Sequence, residues 1–253
     1  MKMVFGEETM MTTAYTERAY RKRVTARGLH SFHMVIRETD LWVSADRDLE
    51  RETRDLTIHY RHLLETYIQS HTAFLTTLEP YPEDPFAPPM VKEMIIKTKG
   101  LGVGPMASVA GAIAQFVGTD LLQWTEQIII ENGGDIFLKT DRSVTVSVFA
   151  GQSPLSEKIG LVIPVRQMPL GICSSSGTIG HSHSAGRADV VCILAPSAVL
   201  ADGAATAIGN RLKRKSDLEN AGTWAREIQG LLGGLAIIGD RMATWGDVEL
   251  VAL

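Results

Sequence analysis

Asp189-Val190-Val191-Cys192-Ile193-Leu194-Ala195, followed at Ser197 by the helical stretch Ala198 to Leu212, is the segment whose reading decides the fold. An apolar run of strand length, with no polar residue at alternate positions, predicts a central strand covered on both faces. Ser197 is a good N-cap residue, since its hydroxyl can accept from the free amides of a first helical turn. The helix it opens carries Ala201-Asp202-Gly203-Ala204-Ala205-Thr206. Asp202 and Thr206 are four residues apart, and so share a face.

Upstream, Phe32–Ile36 and Leu41–Ser44 flank the polar turn 38–40 and predict a hairpin. Three- and four-residue apolar spacing predicts one long helix from Asp48 to Phe74. Five prolines between Glu79 and Pro89 exclude regular structure there, and a short helix is expected over Met90–Lys97. The turn Gly100–Pro105 then leads into a small-residue helix, Met106–Val117, expected to be buried. Strands are expected at Gln127–Ile130 and Ile136–Lys139 around a tight turn, Asn132-Gly133-Gly134-Asp135. Others are expected at Ser143–Ala150 and Gly160–Pro164, with Cys173–Arg187 as a Ser-, Gly- and His-rich loop. A helix over Leu218–Leu231 and strands at Ala236–Ile238 and Val248–Val251 close the sheet. Strand clusters interleaved with helices give an α+β fold with a mostly antiparallel sheet packed by helices. No repeat is obvious, though two helix-containing halves separated by hairpins would suit a duplicated unit.

Composition bounds the function. The 253 residues are 45% hydrophobic and 21% charged, which excludes a disordered chain, and the net charge of -4 gives no general affinity for nucleic acid. Arg18, Arg21, Lys22, Arg23 and Arg27 read as a solvated stretch rather than a nucleic-acid or lipid patch. With two cysteines, Cys173 and Cys192, no disulfide framework supports the fold. No secretion signal or run of about 20 apolar residues occurs, so no membrane role and a cytoplasmic location are expected. Residues 1–17 are expected to form a flexible arm and 18–253 a single domain. Ala-rich helices could serve a homodimer as readily as a core.

Four constellations carry candidate chemistry. The Gly102-Val103-Gly104 turn at a helix start presents free amides to an anion. Bare backbone at Gly133-Gly134, beside Asp135, lets a planar ring or a phosphate approach closely. Ser174, Ser175, Ser176, Gly177, His181, His183 and Arg187 can bind phosphate and supply an acid or base. Cys173 with His181 and His183 would instead suggest zinc, for which no fourth ligand is evident. Asp202 and Thr206 offer hard oxygens of the kind that hold Mg2+ beside a phosphate.

In order, these segments resemble the ApbE family of FAD-dependent flavin transferases. Its Gly-Lys-Gly-Tyr-Ala turn is matched by Gly102-Val103-Gly104-Pro105-Met106-Ala107, and its Gly-Gly-Asp/Glu-Ile hairpin by Gly133-Gly134-Asp135-Ile136. Its Thr-Ser-Gly strand end resembles Ser175-Ser176-Gly177, and its Ala-Asp-Ala-x-x-Thr helix resembles Ala201–Thr206. More closely, the chain looks like uncharacterised ApbE-like proteins. The resemblance implies a T-fold-like core that binds FAD with Mg2+ held by Asp202, Thr206 and a carbonyl near Gly102, and moves FMN onto a Thr or Ser of an acceptor protein. Val103 stands where the family has Lys, Ser108 where it has an acidic residue, and the His-Ile-x-Asp-Pro segment is missing. The implied ligand sites are therefore Gly102, Gly104, Ser108, Gly133, Gly134, Asp135, Ser175, Ser176 and Gly177, with His183 or His181 as the acid–base group. Binding of a flavin or related nucleotide, with FMN transfer, is the expected function. A scaffold that kept the fold without catalysis is the alternative, and a zinc hydrolase is a third reading.

Overall fold

The computed structural model describes residues 28–177 and 186–253; the arm expected over 1–17, His181 and His183 lie outside the described residues. Eight strands form one sheet: β1 (His30–Ile36), β2 (Thr39–Ala45), β3 (Ile128–Asn132), β4 (Asp135–Lys139), β7 (Leu170–Ser175), β8 (Val190–Ala195), β9 (Gly233–Ile238) and β10 (Arg241–Gly246), side by side in that order. All neighbouring pairs are antiparallel. Between β4 and β7 the chain leaves to form β5 (Val144–Ser147) and β6 (Ile159–Ile163), which with the C-terminal β11 (Glu249–Ala252) make a second sheet.

The helices are α1 (Glu50–Ser70), α2 (Thr72–Thr76), α3 (Pro89–Lys99), α4 (Val109–Leu121), α5 (Ala198–Arg211) and α6 (Leu218–Arg226). Two hairpin–helix–hairpin halves result, one from β1 to β4 and one from β7 to β10. Strand β8 shows how the layers stack. Val191, Ile193 and Ala195 belong to the core under the helices, while Val190, Cys192 and Leu194 pack with the small sheet on the other face. That is the double burial an unbroken apolar run demands. Each such side chain buried contributes about 1.5–3 kcal/mol.

The structure departs from the sequence reading at several element ends, with the helix from Leu218 stopping at Arg226 and the strand from Val144 at Ser147, and in four larger ways. The long first helix breaks at His71, whose backbone (φ -134°, ψ 62°) is not helical. Cys173–Ser175, read as loop, completes β7. Strand β10 is not expected from the sequence: its core-facing side is only Ala243 and Trp245, between exposed Arg241, Met242, Thr244 and Gly246. The last strand pairs with β6 and not with the sheet that Ala236–Ile238 completes.

Helix α5 is set close against both neighbours by missing side chains. A Cβ at Gly111 of α4 would lie 2.4 Å from the Ala198 carbonyl oxygen, and one at Gly171 of β7 would lie 2.2 Å from the Ala198 Cα. Neither obstacle is a flexible side-chain tip, so Gly171→Ala should lower Tm by about 5–10 °C, measured by calorimetry, as overpacking against backbone implies. An unchanged Tm would mean that α5 moves freely on the sheet.

Candidate functional site

Helices α4 and α5 meet at their N-terminal ends, and each terminates the other. The first amides of α4 receive no side-chain cap from Ser108, whose hydroxyl donates instead to the Pro105 carbonyl at 2.8 Å. Their acceptor is Asp202 of α5: the Gly111 amide donates to its Oδ2 at 2.9 Å, and Ala110 contributes a second backbone hydrogen bond. Conversely, the Ala198 amide at the start of α5 donates to Oε1 of Gln115, on α4, at 2.7 Å. Ser197 caps α5 as expected, accepting from the Leu200 amide at 3.2 Å, and its hydroxyl donates to Glu93.

The turn between β3 and β4 closes the other side of this junction. Gly133 and Gly134 both have positive φ (69° and 111°), the left-handed backbone a two-residue hairpin turn needs. The Asn132 side chain donates to the Ala110 carbonyl at 3.0 Å, tying the turn to α4. Asp135 accepts from the Ser174 amide on β7 at 3.1 Å and from the Cys173 thiol. Space above Gly134 is open: a Cβ there would meet nothing within 4 Å.

Asp135 and Asp202 are 7% and 8% exposed. Burial holds both carboxyls above the usual range, reinforced at Asp135, raised to about 7, by the Glu131 carboxylate and at Asp202 by Asp135. No Lys, Arg or His among the described residues forms an ion pair with either. Cys173, fully buried between them, has its thiol pushed up by burial and by both aspartates. The Ser175 hydroxyl, one pleat further along β7, is buried without a hydrogen-bond partner.

The structure thus gathers Gly133, Gly134, Asp135, Ser175 and Asp202 at one junction. Thr206, one turn beyond Asp202, is half-buried. Ser108 is fully buried beside Gly203. Gly102 has positive φ and open space around it. Gly104 is different: its amide donates to the Leu78 carbonyl at 2.9 Å, and a Cβ would strike the Thr77 carbonyl, so it faces the α2 connection. Val103 is buried in the core. Gly177 pairs with the Ala188 carbonyl, and Ser176 lies between it and β7. Sequence reasoning missed Gly111, Gln115 and Asn132, whose roles depend on partners 22 to 91 residues away. Among the described residues no three His, Cys, Asp or Glu side chains converge as a metal cage.

A family model described as AbpE bacteria matches residues 21–230. The chain belongs to the ApbE-like family. This ApbE-like chain is 41% identical over 212 residues to a UPF0280 protein of Methanocella arvoryzae, spanning 83% of this chain and 86% of that one. It is 39% identical over 223 residues to a UPF0280 protein of Methanosarcina acetivorans, spanning 87% of each. Its fold is similar to that of the flavinyl transferase ApbE of Pseudomonas stutzeri (TM-score 0.56, 13% identity, 85% of this chain and 93% of the other). A flavin transferase ApbE of Vibrio cholerae is similar at TM-score 0.51 and 14% identity, over 88% and 97% of the two chains. Among the described residues of the ApbE-like chain, no helix is long and apolar enough to cross a membrane.

Proposed function

We propose that this chain binds a flavin nucleotide, FAD, together with Mg2+ at the junction of α4, α5 and the Gly133–Gly134 turn. We propose too that it transfers FMN to an acceptor protein in the cytoplasm. The observation that carries the reading is the pair of buried carboxylates, Asp135 and Asp202, with no cationic side chain among the described residues beside them. Burying two such groups in ionised form is costly unless a cation joins them; without one they are driven to hold protons, as the raised pKa values of both show. The donor set suits Mg2+, a hard ion held by one or two carboxylates and completed by water and substrate phosphate. Asp202 and Thr206 would hold it, Gly133 and Gly134 would leave room for a ring or phosphate, and the unpartnered Ser175 hydroxyl would donate to the ligand. Mg2+, when bound, withdraws charge from a phosphate as a Lewis acid. The names of the ApbE transferases of similar fold support the flavin ligand. His181 or His183 remains our candidate for acid–base work.

One observation favours binding without transfer. Val103 is packed in the core where the family places a lysine, and the Gly104 amide is already used, so that turn brings no cation to the phosphates.

Thermal unfolding with FAD, with and without Mg2+, tests the binding. At ligand about 100-fold above Kd, stability should rise by about 2.7 kcal/mol, and Tm by about 5–10 °C. No shift with both present would overturn the proposal. AMP release with flavin attached to an acceptor supports transfer; a Tm shift with no AMP leaves the chain a binder.

A further inference from the structure

The small sheet ends on a strand whose outer edge has no described partner. β11 pairs on one side only, with β6, in the register Glu249↔Val162 to Ala252↔Ile159. The Leu253 amide extends that ladder to the Lys158 carbonyl at 3.0 Å. In an antiparallel ladder the amide and carbonyl of one residue point to the same side, and alternate along the strand. Leu253, Val251 and Glu249 therefore bond towards β6, while Leu250 and Ala252 turn their backbone groups outward.

Exposed edges are ordinarily blunted by Pro, by Lys or by a bulge. β11 has none of these; its protection is its length of four residues and the charge of Glu249 at its start, after which Leu-Val-Ala continues into Leu253. Leu250, Val251 and Leu253 are 36%, 40% and 58% exposed. The side chains of Val251 and Leu253 lean back over β6, within 3.1 and 3.2 Å of where a Cβ would stand on Gly160. That leaves the outward edge clear for a close strand. The edges of the eight-stranded sheet carry more charge, with Arg37 and Glu38 at the tip of β1 and Arg241 at the start of β10.

We infer that β11 is a homodimer interface, on which a second copy of this chain adds its own β11 antiparallel across a two-fold axis to form a continuous six-stranded sheet. The register follows from the outward groups. Leu250 exchanges hydrogen bonds with Ala252 of the second copy, and Val251 meets its own counterpart on the axis. Glu249 then lies opposite Leu253 of the other copy, on the same face as Lys158. The two Glu249 side chains are kept four residues apart, about 14 Å along the strand. Identical edges meeting this way are self-complementary and close the assembly at two.

Light scattering on the purified protein over a dilution series should show the 27.6 kDa chain at twice that mass, falling towards monomer on dilution. Ala252→Pro removes one outward donor without touching the ladder to β6, and should give a monomer at every concentration, with the Tm of the wild type at dilutions where it too is monomeric. Val251→Cys should form an intermolecular disulfide on mild oxidation, because facing residues of a non-hydrogen-bonded pair lie within disulfide reach and the native cysteines are buried. A monomeric wild-type protein, an Ala252→Pro variant that stays dimeric, or a Val251→Cys variant that remains reduced would each overturn the inference. If Ala252→Pro unfolds, the Val251→Cys result alone decides.

Discussion

Replacing Asp202 with Ala should abolish the Mg2+-dependent stabilisation by FAD, weakening binding by about 100-fold or more. Losing only an outer-shell partner of a metal site typically costs 10–100-fold. Two opposing effects act on the fold. The Gly111 and Ala110 amides lose their acceptor, which costs about 1 kcal/mol, as for other lost N-caps. Against this, a buried carboxylate that repels Asp135 is removed. The net change in Tm of the ligand-free protein should therefore be small. Asp202→Asn separates the two roles, because its amide oxygen can still accept from Gly111 while its charge is gone. FAD and Mg2+ binding to Asp202→Asn with wild-type affinity would show that Asp202 only terminates α4.

A second large effect lies in pH. Because Asp135 is raised to about 7 by burial and by the Glu131 carboxylate, the folded protein holds a proton that the unfolded chain has already released. The contribution of Asp135 to stability should be greatest below about pH 4, where both states are protonated, and should fall as pH rises towards 7, opposite in sign to that of the carboxylates held low by partners, such as Asp46 and Asp217. A difference of about 3 pH units corresponds to about 4 kcal/mol from this residue alone. Asp202 shifts in the same direction and steepens the decline. Asp135→Asn should flatten the profile between pH 4 and 7, measured by urea unfolding at a series of pH values. A profile for Asp135→Asn that parallels the wild type would show that Asp135 is not the group responsible.

The fold was legible where local pattern and tertiary role agree. The uninterrupted run in β8, the cap at Ser197 and the glycine turn of β3–β4 each specify their structure over a few residues. The end of strand β7 is not legible in the sequence because Ser174-Ser175-Ser176-Gly177 looks like loop chemistry, and only the pairing of Ser174 and Ser175 with Cys192 and Val191 makes it a strand. The C-terminal strand was assigned to the wrong sheet since alternation names a strand but not its neighbour. At the site, Asp202 is legible as a hard oxygen donor and Asp135 as the neighbour of the glycine turn. The partners that hold them, Ser174 and Gly111, are 39 and 91 residues distant, and no periodicity connects them.

The mutual termination of α4 and α5 has a consequence for how the protein assembles. Neither helix is self-sufficient at its first turn: α4 waits for a side chain 91 residues later, and α5 draws on one from 83 residues earlier. The amides of Gly111 and Ala198 should consequently exchange with deuterium at one common rate, through whole-domain opening and not by separate fraying. On a growing chain, the junction of α4 with the Gly133–Gly134 turn cannot mature until α5 has emerged, so synthesis of the second half is the step that completes the first.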